Sequence, residues 1–122
     1  MPVAIKRVYE AASEADGQRI LVDRLWPRGI SHERAQLSAW EKEVAPTAQL
    51  RTWFNHEPSR MAEFTRRYRH ELDTLAPAQE AVGRLLELLG QGTKITLVYG
   101  AKDPTLNQAR VLADYLHEKT VS

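Results

Sequence analysis

Asp23, Arg24, Trp26 and Arg28 crowd into one stretch, Arg19-Ile20-Leu21-Val22-Asp23-Arg24-Leu25-Trp26-Pro27-Arg28-Gly29. A carboxylate accepts hydrogen bonds and can take up a proton. Guanidinium forks bind phosphate or carboxylate, and an indole offers a flat wall. The cluster follows Ile20-Leu21-Val22, a continuous apolar run that reads as a strand buried on both faces. Ligands of α/β proteins collect at the C-terminal ends of strands, so a site for an anion is expected here.

A second run, Lys94-Ile95-Thr96-Leu97-Val98-Tyr99, ends in Gly100-Ala101-Lys102. Asp103 then reads as the cap of a last helix, with Pro104 at its first position. If the two strands are parallel neighbours, both mouths open on one edge. Arg24, Arg28, Lys102 and the helix N-terminus then hold a phosphate or carboxylate. Asp23 serves as general base or orienting group, Trp26 walls the ligand, and Tyr99 donates a hydrogen bond. The same residues also have a plain structural reading. Asp23 would pair with a local arginine to hold the loop, and Trp26 would plug the core.

The elements that must position these groups follow from patterning. Val3 to Tyr9 reads as a first strand, with Val3, Ile5 and Val8 inward, and Glu10 to Gln18 as a polar loop. Ser31 is placed to cap a short helix from His32. Ser38 and Glu41 have capping-box spacing ahead of a segment ending by Pro46. Thr47 caps a helix that buries Leu50, Trp53 and Phe54. Pro58 opens a helix striped by Met61, Phe64, Tyr68, Leu72 and Leu75. Pro77 opens another, with Val82, Leu85, Leu86 and Leu89 inward and Gly90 as its stop. The last helix turns Leu106, Ala109, Leu112, Ala113 and Leu116 to the core.

The order is strand, strand, several helices, strand, helix. Long helical connections favour parallel pairing. The expected architecture is a small single α/β domain spanning 1–122, with a few-stranded, mostly parallel sheet in two or three layers. A length of 122 residues suits one core, and a net charge of +1 advertises neither nucleic acid nor membrane. Cysteine is absent, which excludes disulfides, thiolate metal sites and thiol nucleophiles and fits a reducing compartment. Lys6-Arg7 interrupts the start before any signal-type apolar stretch forms, and no run reaches membrane-spanning length. A cytoplasmic protein is expected.

Other chemistry is weaker. His32-Glu33 lacks the second histidine of a zinc-protease helix, and His70 with Asp73 is better read as a solvated face, so no metal is expected. Gly90-Gln91-Gly92 lacks the preceding strand and third glycine of a dinucleotide site, and no cofactor is implied. No nucleophile elbow or phosphate-binding glycine-rich loop is present. His56 is either a general acid or base or a packing residue at a helix junction. Arg60, Arg66, Arg67 and Arg69 raise an alternative function, a nucleic-acid-associated module, but Glu63 and Glu71 interrupt their charge. A third reading is a structural or partner-binding domain without catalysis.

Leu21-Val22-Asp23-Arg24-Leu25-Trp26-Pro27-Arg28-Gly29 resembles the signature of the YeaO-like proteins, a bacterial family assigned to a domain of unknown function. Ile5–Tyr9, Trp40–Pro46, Leu50–Pro58 and Thr96–Asp103 resemble its further segments, so the likeness runs through nearly the whole chain. It implies an α/β fold and leaves activity open. Its motifs mark Asp23, Arg24, Trp26, Arg28, Lys42, Arg51, His56, Tyr99, Lys102 and Asn107 as candidate site residues. Relatives often carry a histidine where Leu106 stands, and a histidine or another polar residue where Gln108 stands. More distant members place a cysteine in or after the closing strand loop, where this chain has Gly100 and Ala101. Thiolate chemistry of the rhodanese or cysteine-phosphatase kind is therefore impossible here.

Overall fold

A computed structural model describes residues 3–103 and 107–120. The protein is an α/β domain built on a four-stranded, all-parallel sheet of order β1-β4-β2-β3. The strands are β1 (Val3–Arg7), β2 (Gln18–Leu21), β3 (Ala39–Trp40) and β4 (Ile95–Tyr99). Ile20, Leu21 and Val22 are all buried, as are all the residues of β4, because layers of side chains cover both faces of the central strands. The alternation is visible in the packing. Ile20, Val22, Leu97 and Tyr99 belong to one cluster, and Leu21 and Val98 to another on the opposite face.

The larger cluster is closed by α2 (Ala48–Phe54), α3 (Met61–Thr74), α4 (Ala76–Gly90) and α5 (Gln108–Thr120). The smaller one is closed by Ile30, by Trp26 and Trp40, and by Ala35 of α1 (His32–Ala35). Ser31 and Thr47 cap α1 and α2 through their side-chain oxygens, as their positions predict. α3 buries Phe64, Tyr68 and Leu72, while Leu75 at its end is exposed.

Several local expectations are corrected. β1 stops at Arg7, and Tyr9 lies beyond it. The polar loop contains a one-turn 3-10 helix, Glu14–Asp16, closed by a Ser13 capping box, and Gln18 already belongs to β2. Ser38 and Glu41 do not form a capping box. They flank β3, and their backbone N–H groups donate to Arg19 O and Leu21 O of β2. Pro58 opens a 3-10 turn, Pro58–Arg60, and α3 proper begins at Met61. α5 begins at Gln108, and Asn107 caps it there by accepting the Arg110 N–H at 3.0 Å; the cap expected of Asp103 would serve residues outside those described. Pro104 and Leu106 lie outside the described residues.

Candidate functional site

β2 and β4 are parallel neighbours in register from Gln18↔Ile95 to Leu21↔Val98, so their C-terminal ends open together. The Val22 N–H still donates to Val98 O, which sends Asp23 out beside the turn after β4. There the Asp23 carboxylate accepts from the Gly100 N–H at 2.8 Å and from Gln108 Nε2 at 2.5 Å. Trp40 Nε1 donates to the Asp23 carbonyl at 2.7 Å and fixes the backbone. Gly100 is required for this approach, because a Cβ there would stand 2.9 Å from Asp23 Oδ2. Burial pushes the Asp23 carboxyl up to about 6, against the opposing pull of the Gly100 N–H, the Gln108 amide and the Arg51 charge.

Asp23 faces a cleft of about 280 Å³ walled by Trp26, Pro27, Phe54 and Phe64, with Arg28, Arg51 and His56 also on its lining. Arg51 reaches it from α2 and Arg28 from the loop after β2. Among the described residues neither guanidinium makes a hydrogen bond or ion pair; the Arg28 carbonyl accepts from the Tyr9 hydroxyl. His56 stands at φ 52°, directly after Asn55 at φ 47°. Two successive left-handed residues without glycine cost of the order of 1–3 kcal/mol each, and this turn sets His56 on the cleft wall.

The remaining candidates divide. Arg24 lines the cleft, but its donors are engaged by Pro46 O at 3.2 Å, Ala45 O at 3.1 Å and Glu43 at 3.7 Å. It therefore holds the 43–46 loop, and the cleft-lining guanidiniums without such partners among the described residues are those of Arg51 and Arg28. Trp26 lines the cleft with one side while its Nε1 donates to Ile30 O at 2.7 Å and its ring stacks on His32 at 4.0 Å. It is both wall and plug. Lys42 lies over the Trp40 ring at 4.5 Å, outside the cleft lining. Tyr99 is buried beneath the sheet edge, where burial raises its phenol above the usual range, and it does not reach the lining. Lys102 is exposed and also off the lining. Asn107 serves the start of α5, donating to Asp103 O at 2.9 Å.

Sequence reasoning missed the part played by Gln108. Its only signal is a polar side chain in the first turn of α5, and nothing local says that it reaches Asp23. Phe54 and Phe64 are legible as core residues, yet their stacked rings, 4.3 Å apart, also floor the cleft.

The arginines of this region are engaged locally. Arg66 and Arg67 both bind Glu63, and Arg69 pairs with Glu118 at 2.8 Å. Arg60 donates to the Trp53 carbonyl at 2.5 Å. Among the described residues no group of three or more histidine, aspartate or glutamate side chains is arranged to hold a metal, and no helix is long and apolar enough to cross a membrane.

A small all-parallel α/β domain with a half-polar cleft at its strand ends describes the class. Residues 2–122 match the family model described as the inactive DUF488-N3 subclade, and the chain belongs to that family. It is 43% identical over 95% of its length to the Escherichia coli K12 protein printed as "Uncharacterized protein YeaO", covering 97% of that protein. It is 40% identical over 94% of its length to "Uncharacterized protein Rv3073c" of Mycobacterium tuberculosis H37Rv, covering 93% of it, and equally to "Uncharacterized protein Mb3100c" of Mycobacterium bovis. No solved structure matches.

Proposed function

We propose that the protein binds a small anionic ligand, bearing phosphate or carboxylate, in the cleft at the C-terminal ends of β2 and β4. The observation that carries this reading is Arg51: its guanidinium lines the cleft with no hydrogen bond or ion pair among the described residues. A guanidinium with free donors at a concave, partly apolar site is suited to a planar or tetrahedral oxyanion. Arg28 adds a second cation at the rim, and His56 an imidazole able to hydrogen-bond. Asp23 orients the ligand. The family description "inactive" supports holding over turnover.

Isothermal titration with inorganic phosphate, pyrophosphate and small carboxylates tests the reading. The native protein should bind at least one of these, and Arg51→Ala should weaken that binding tenfold or more. Absence of binding across the panel, or binding unchanged in the Arg51→Ala, Arg28→Ala double variant, refutes it.

A further inference from the structure

The protein treats two aspartates very differently. Asp16, with 9% of its side chain exposed, accepts from Lys6 Nζ at 3.1 Å, Arg19 Nη1 at 2.7 Å and the Ser13 N–H at 3.0 Å. That carboxylate has two cations and a backbone donor. Asp23, also largely withdrawn from solvent, receives only two neutral donors, Gly100 N–H and Gln108 Nε2. Among the described residues no cation forms an ion pair with it. An ionised carboxylate offers about four acceptor positions, so Asp23 retains open positions where it meets the cleft. A partly buried charge supplied this sparsely gains from a further donor. Its carboxyl is raised to about 6, mainly by burial, as expected for a group without a counter-charge in contact.

The groups across the same cavity have the opposite character. Arg51 and Arg28 are donors only, and their charge selects an anion. A bare anion filling the cleft would meet the like charge of Asp23 at neutral pH. A ligand with separate anionic and donor ends meets neither difficulty. Phe54, Phe64 and Pro27 provide apolar wall for the body between those ends.

Resting on the anion reading above, we infer that the ligand carries a hydrogen-bond donor, an ammonium or amine N–H, on the same small body as its anionic group, and that Asp23 selects that donor. Asp23 is thereby a specificity-determining residue of the cleft.

Matched pairs that differ in one group test this by isothermal titration at pH 8. Hexanoate is compared with 5-aminopentanoate, and 4-methylbenzoate with 4-aminobenzoate, since each exchange replaces a methyl by a donor of similar size. The native protein should prefer the amino member of at least one pair tenfold or more. In Asp23→Asn that preference should fall below threefold, while the methyl member binds as well or better. Equal binding of both members of both pairs by the native protein overturns the donor inference and leaves the anion reading standing. A preference retained in Asp23→Asn overturns the role of Asp23. Binding of neither member of either pair, with no binding of inorganic phosphate, overturns both readings together.

Discussion

Replacing Asp23 by asparagine should stabilise the protein at neutral and alkaline pH. The carboxyl titrates at about 6 in the fold, against an ordinary value of 3.8, so the folded state binds this proton more tightly than the unfolded chain does. Between those values the native protein carries more protons, and stability falls as pH rises through the window. Above it, ionised Asp23 holds the fold below what a neutral acid would allow. At about 1.4 kcal/mol per unit, a shift of about two units amounts to ~3 kcal/mol. Asparagine imitates the neutral acid. Its carbonyl can accept from Gly100, and its amide can donate to Gln108 once the Gln108 amide turns over. Urea denaturation at pH 8 should therefore find Asp23→Asn more stable by up to ~3 kcal/mol, roughly 10 °C in melting temperature for a chain of this size. At pH 4 the two proteins should be nearly equal. If Asp23→Asn is less stable at pH 8, or if the difference does not change with pH, the charge is holding the loop and the reasoning fails.

Gly100→Ala places a Cβ 2.9 Å from Asp23 Oδ2, so the carboxylate must leave the Gly100 N–H; a loss of about 1–3 kcal/mol in urea unfolding is expected, partly relieved in the Asp23→Ala background. Asp16→Ala strips the main counter-ion from Arg19, whose side chain is 4% exposed and whose Nη2 already has no partner, and the denaturation midpoint should drop by the equivalent of roughly 3–5 kcal/mol. Thr47→Ala removes both the cap on Leu50 N–H and the 2.6 Å bond to Glu71; it should cost about 1–2 kcal/mol and speed hydrogen exchange in α2, the helix that carries Arg51.

The central strands were legible because burial on both faces leaves an uninterrupted apolar run, and Ile20–Val22 and Ile95–Tyr99 show it. The caps at Ser31 and Thr47 were legible because the determining bond lies within three residues. β3 was not. Two residues are too few to show a period, and Ser38 with Glu41 imitates a capping box while their N–H groups serve the β2 ladder. Buried Asn107, which accepts from the Arg110 N–H at the start of α5, carries no pattern that sets it apart from its neighbours in sequence. Around Asp23, residue types single out a stretch that the structure sets on a cleft at the strand ends. Which cations stay available could not be read, because Arg24 is captured by the Ala45 carbonyl, 21 residues away. Gln108 meets Asp23 across 85 residues, beyond any local pattern.

The sheet order has a consequence for how the chain is made. β4 is the last strand in sequence yet lies between β1 and β2, pairing with both. A nascent chain that has not yet reached Ile95 can form only the β2–β3 ladder, a register of two residue pairs. Until then the apolar edges of β1 and β2 have no neighbour, and the carboxylate of Asp23 has neither Gly100 nor Gln108. Closure of the sheet must wait until Ile95–Tyr99 has been made; that strand then brings Gly100 to Asp23, and α5 follows with Gln108.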